Sequence, residues 1–155
     1  MNNEKSCAFF GHRKIDNSKN IKEQLMYILE NLIKNQGYRI FLFGGFGDFD
    51  KLCHEVVSAL KLKYTYLKRI YFLTDVRFLS KSINNQKNEY EEFVYPDLKY
   101  DYWYTRIYFR NCEIINRSDF VIFYANKIET SGAYKALKYA KKIKRKFYNL
   151  YDNIW

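Results

Sequence analysis

Ile40-Phe41-Leu42-Phe43-Gly44-Gly45-Phe46-Gly47-Asp48-Phe49-Asp50 is a buried strand that breaks abruptly into a turn. From Ile40 to Phe43 no residue is polar, as expected of a strand covered on both faces. Three glycines in four residues then follow, a combination that costs backbone entropy unless the chain must turn sharply or come close to something. Beyond the turn, Leu52, Val56, Val57 and Leu60 share one helical face. A strand, a glycine turn and an amphipathic helix in that order make half of a βαβ unit.

The same alternation extends in both directions. Upstream, Ser6–Phe10 is a short apolar strand, and Ile21, Leu25, Ile28, Leu29, Leu32 and Ile33 form a helical stripe that Gly37 ends. Tyr38–Phe43 is the second strand and Leu67–Leu73 the third. Thr74–Tyr102 has no regular pattern and holds Pro96 with a dense set of aromatics, as binding loops and lids often do. A helix is predicted over Trp103–Arg117, a fourth strand over Asp119–Tyr124, a last helix over Ser131–Lys144, and a fifth strand over Phe147–Leu150. The expected fold is α/β: a Rossmann-like three-layer sandwich with a mostly parallel five-stranded sheet in the order 3-2-1-4-5.

The 155 residues suit one domain spanning 1–155. No linker, repeat or low-complexity block divides them. The net charge of +10 favours anionic partners, and much of it lies between Lys135 and Lys146, where a solvated helix face is the plain reading. Cys7, Cys53 and Cys112 are widely spaced and odd in number, which fits neither a disulfide framework nor a zinc site. Met1–Ser6 is polar, so no secretory leader is expected, and no stretch approaches the roughly 20 apolar residues of a membrane helix. A reducing, cytoplasmic setting without metal or resident cofactor is the expectation.

In such a sheet, ligands bind beyond the carboxyl ends of the strands, near helix N-termini. Three segments fall there. Gly11-His12-Arg13 offers close backbone approach and a guanidinium fork, or is a plain basic turn. Gly44, Gly45 and Gly47 either present amides to a phosphate or make a tight strand–helix connection; no Gly-Lys-Ser/Thr follows, so this is not a P-loop. Asp48 or Asp50 could cap the helix there or bond a ribose hydroxyl. Thr130-Ser131-Gly132 opens the last helix, with Ser131 as anion contact or as N-cap. Arg110 lies three residues after Ile107 and four before Ile114, so it borders an apolar face. A buried arginine needs a carboxylate or a phosphate partner.

Phe9-Phe10-Gly11-His12-Arg13, Gly44 to Asp50, Arg110-Asn111, Ser118 to Ile122 and Ser131 to Ala136, in that order, resemble the YspA group of the SLOG superfamily, which also contains the DprA and LOG ("lonely guy") proteins. The match runs from about Lys5 to Leu150. It implies a Rossmann-like domain that binds nucleotides or molecules derived from them. LOG enzymes cleave the bond between base and ribose. In this chain Arg110 falls on their arginine, Asn111 on the lysine that follows it, and Gly132 on the glycine before their threonine. Their catalytic glutamate is replaced by Ala136, and no Pro-Gly-Gly precedes Ser131. The resemblance therefore implies binding without the usual acid/base group; Glu55 and Glu129 are the candidate substitutes.

The expectation is a nucleotide-binding sensor or sequestering domain, its site formed by Gly11, His12, Arg13, Gly44, Gly45, Gly47, Asp50, Arg110, Asn111, Ser131 and Gly132, with an aromatic from Tyr100–Tyr108 against the base. A nucleotide-processing hydrolase and a single-stranded nucleic-acid binder are the alternatives, and a homodimer fits the resemblance.

Overall fold

Successive residues of the first strand enter two different cores, and that alternation sets up three layers. The computed structural model describes residues 4–98, 102–128 and 130–152. The chain runs β1 (Lys5–Gly11), α1 (Ser18–Gln36), β2 (Tyr38–Phe43), α2 (Asp48–Lys63), β3 (Lys68–Phe72), α3 (Leu79–Gln86), β4 (Glu92–Val94), α4 (Trp103–Arg117), β5 (Phe120–Tyr124), α5 (Gly132–Lys142) and β6 (Phe147–Asn149). Cys7 and Phe9 of β1 join a core completed by Leu25 and Leu29 of α1 and Phe49, Cys53 and Val57 of α2. Ala8 and Phe10 join the opposite core, with Ile114 and Ile115 of α4 and Ala133, Leu137 and Ala140 of α5.

The sheet is parallel throughout, in the order β4-β3-β2-β1-β5-β6. It has six strands where the sequence predicts five. The five expected strands keep the expected order, and the extra strand, β4, adds to the β3 edge. It falls inside Thr74–Tyr102, which also contains a 3₁₀ turn at Val76–Phe78 and the helix α3.

Three residues are too few to show a strand period, and Glu91 and Glu92 disguise them as loop. What holds β4 in place is polar. Buried Arg69 of β3 donates from its backbone N and Nε to Glu91 Oε1 at 2.8 and 3.1 Å, and from Nη2 to Oε2 at 2.7 Å. Its Nη1 reaches Ser58 Oγ at 3.0 Å.

β1 lies in the middle, with β2 on one side and β5 on the other, so the chain departs in opposite directions from its carboxyl end. That switch point is where α/β sheets leave a crevice. The three cysteines are free and buried. Among the described residues no helix is long and apolar enough to cross a membrane.

Candidate functional site

The crevice is occupied by a cleft of about 320 Å³. Gly11, His12 and Arg13 reach it from β1, Gly44 and Asp50 from the β2–α2 junction, Arg110 and Asn111 from α4, and Ser131 and Gly132 from the start of α5. Nine of the eleven candidate residues thus line one cavity, although they come from four separate segments. Gly45 and Gly47 do not line it.

The glycines serve close approach. A Cβ on Gly11 would meet the Phe49 ring at 2.3 Å, and one on Gly44 would meet Arg110 Nη2 at 2.8 Å. Gly45 and Gly47 have φ of 70° and 95°, disfavoured for residues bearing a Cβ. A Cβ on Gly47 would also lie 2.8 Å from the Arg13 Cα. The turn is therefore tied to the first loop, a link completed where Asp48 N donates to Arg13 O at 2.7 Å. The backbone at Gly44 and Gly45 favours the ionised form of Asp50, so its polarity is directed at this chain's own carboxylate.

Arg110 is 7% exposed. It donates from Nη1 to the carbonyl oxygens of Gly44 and Phe72 at 2.9 and 3.4 Å, and from Nε and Nη2 to Asn111 Oδ1 at 3.2 and 2.9 Å. All these acceptors are neutral. No carboxylate among the described residues lies within 4.0 Å of it; the ion pairs lie elsewhere. Asp50, likewise buried, is near enough to feel the Arg110 charge. Burial pushes its carboxyl up from 3.8 to about 6, opposed by the Gly45 backbone, Arg110 and the Gly44 backbone. The cleft therefore offers a buried cation and a buried acid that titrates near neutrality.

The two helix N-termini at the cleft are electrostatically unequal. The first turn of α2 carries Asp48 and Asp50, whereas that of α5 carries no acid. Negative charges near a helix start offset its positive end. The α5 terminus is the one left to attract an external anion.

His12 ties the first loop to this terminus. Asn126 N donates to its Nε2 at 2.9 Å, which requires a lone pair there and places the ring proton on Nδ1. Nδ1 faces Ser131 Oγ at 3.5 Å, and the same oxygen accepts from Tyr134 N at 3.4 Å as the α5 N-cap. With Oγ accepting, the Ser131 hydroxyl proton is turned elsewhere. Burial lowers the His12 pKa below its ordinary value, with an Asn126 contact opposing. The ring is a neutral brace, and its lone pair is not available to activate Ser131.

Arg13 completes the entrance, its guanidinium 4.5 Å from the centre of the Phe46 ring. Thr130, in the segment that the sequence singled out at the start of α5, also lines the cleft, whereas Phe46 and Ile107 were not named as site residues; Ile107 had a signal, one helical turn before Arg110. A second hollow of about 380 Å³ adjoins the cleft, walled by Trp103, Tyr104 and Tyr108 with Arg13 and Lys135. Part of the Tyr100–Tyr108 cluster is thus next to the site, while Tyr100 itself lies outside the described residues. Ala136 is buried in the core, Glu55 is exposed on α2 and does not line the cleft, and Glu129 lies outside the described residues.

Together these features define a Rossmann-like α/β protein with a cationic cleft at the sheet's switch point. No protein-family model and no curated protein matches the chain in sequence. Its fold is similar to the X-ray structure of TM1055, a Northeast Structural Genomics Consortium target, with a TM-score of 0.60 and 14% identity over 92% of this chain and 72% of that one. At that identity the likeness speaks to fold alone.

Proposed function

We propose that this chain is a YspA-like SLOG domain that binds a nucleotide or nucleotide-derived phosphate as a sensor or sequestering protein. The observation that carries the reading is Arg110, a buried guanidinium lining the cleft with neutral acceptors only. A buried cation with no carboxylate in contact is costly, and a phosphate supplies a closer charge than Asp50 does. The acid-free first turn of α5, the Ser131 hydroxyl and Arg13 support the same anion. On this reading Asp50, which lines the cleft, takes a ribose hydroxyl, and the aromatics of the adjoining hollow take the base.

Thermal denaturation with a panel of mono-, di- and triphosphates and ADP-ribose tests it. At least one is expected to raise the melting temperature of the wild-type chain, and Arg110→Met is expected to remove the shift. No shift with any of them would overturn the reading.

Asp50 favours a second reading, that of a hydrolase or transferase. It is the only carboxylate among the described residues lining the cleft, and its pKa of about 6 suits proton transfer near neutrality. Chromatography of the bound nucleotide after prolonged incubation separates the two: unchanged ligand excludes turnover of that compound.

A further inference from the structure

We infer that a second hollow, under α3, is a sugar subsite that takes a hexose, either linked to the phosphate in the cleft or free. In its linked form this rests on the nucleotide reading of the cleft. The case for a sugar comes from the hollow itself.

The hollow has a volume of about 400 Å³ and opens at the carboxyl end of β3, where Leu73 and Thr74 line it. It lies on the same edge of the sheet as the cleft, and Arg110 lines both cavities. Much of its wall comes from the stretch Thr74–Tyr102, of which no described residue lines the cleft.

α3 is inverted for a helix that serves only the fold. A surface helix normally turns an apolar stripe to the core. This one buries no residue. Its Lys81, Ser82, Asn85 and Gln86 share one face and line the hollow, while Ile83 does not line it and is 41% exposed. A polar face turned towards a cavity suits a polar occupant.

The chemistry of the wall selects among polar occupants. Thr74, Ser82, Asn85 and Gln86 are neutral, and among the described residues their side chains have no hydrogen-bond partner. Hydroxyls and amides both donate and accept, which matches the hydroxyls of a sugar. The acid of the hollow, Asp75, is held by Arg77 and Arg106 at 2.6 and 3.5 Å, so it is not free to take a cation. Beyond Arg110, Lys81 is the one cation among the described residues of the wall, which is little for a second phosphate. The rings of Tyr71 and Phe78 supply apolar surface for the C–H face of a pyranose.

Calorimetric titration of the full chain with UDP, GDP and ADP, with their glucose and mannose conjugates, and with free glucose and mannose separates the two sources. A linked hexose shows as a conjugate that binds about tenfold or more tighter than its own diphosphate. A free one shows as saturable binding of the hexose alone. Ser82→Ala/Asn85→Ala should remove either signal, the loss of about two hydrogen bonds, and Ser82→Trp should do so by filling the hollow. Both variants should leave the bare diphosphates and the melting temperature unchanged, since α3 adds nothing to the core.

Conjugates that bind no tighter than diphosphates, with free hexoses silent, would sink the subsite and leave the cleft reading standing. A signal that survives both variants would put the sugar elsewhere and overturn it as well. Hexose binding without any diphosphate binding would keep the subsite and remove the nucleotide reading. Silence from every compound would overturn the two proposals together.

Discussion

Arg110 donates to the carbonyl of Gly44 at 2.9 Å, and a Cβ on Gly44 would stand 2.8 Å from Arg110 Nη2. The missing side chain and the buried cation are one feature, formed by residues 66 positions apart.

Gly44→Ala should therefore push the guanidinium out of position. It is expected to lower stability by about 1–3 kcal/mol, the usual cost of overpacking, and to remove any nucleotide-induced rise in melting temperature. Gly132→Ala is the control: among the described residues nothing lies within 4 Å of the point its methyl group would occupy, and alanine is the better helix former by about 1 kcal/mol. Urea denaturation of both variants checks the contrast. Equal stability losses would mean that the Gly44 contact is not what matters.

Asp50 sets a pH dependence of definite sign. Burial raises its carboxyl from 3.8 to about 6, so the folded chain holds this proton more tightly than the unfolded one. Between those two values the folded state carries more protons, and stability from this group falls as pH rises through the window. Two pKa units set the scale at about 3 kcal/mol. Asp50→Asn should match the wild type near the acid end of the window and exceed it in stability at neutral pH. Denaturation midpoints at the two ends test this, and a difference that does not change with pH would contradict it.

The sequence exposed what depends on local pattern and hid what depends on approach in space. The helix over Trp103–Arg117 and the strand over Tyr38–Phe43 have the bounds their apolar spacing predicts. The parallel sheet followed from the alternation of elements, but β4 did not, because Arg69 and Glu91 hold it through contacts 22 residues apart. At the cleft, Arg110 was legible as a polar break in an apolar face. The part played by Gly45 and Gly47 was not: a glycine looks the same whether it presents an amide or makes room for Tyr71 and Arg13.

His12 should be found in the less common tautomer. The amide of Asn126 occupies Nε2 and leaves the proton on Nδ1, so long-range proton–nitrogen spectra at neutral pH should show a protonated Nδ1 and a bare Nε2. Burial holds the pKa below its ordinary value, and the pattern should persist to mildly acidic pH. A proton on Nε2 would leave the Asn126 amide without its acceptor and remove the brace between the first loop and Ser131.

Away from the cleft, Gln24 is a polar residue in an apolar place. It is 4% exposed on the face of α1 that also carries Ile21 and Leu25. Among the described residues neither its Nε2 nor its Oε1 has a hydrogen-bond partner. An amide buried in this way loses its bonds to water and gains none, at a cost of about 1–3 kcal/mol. Methionine has a similar length, no amide and a flexible chain that fills the same space. Gln24→Met is therefore expected to raise stability by an amount in that range, seen as a melting temperature higher by about 2–4 °C per kcal/mol for a chain of this size. Since the site is remote from the cleft, the response to nucleotide should be the same as in the wild type. A variant less stable than wild type would show that the amide does useful bonding where it lies.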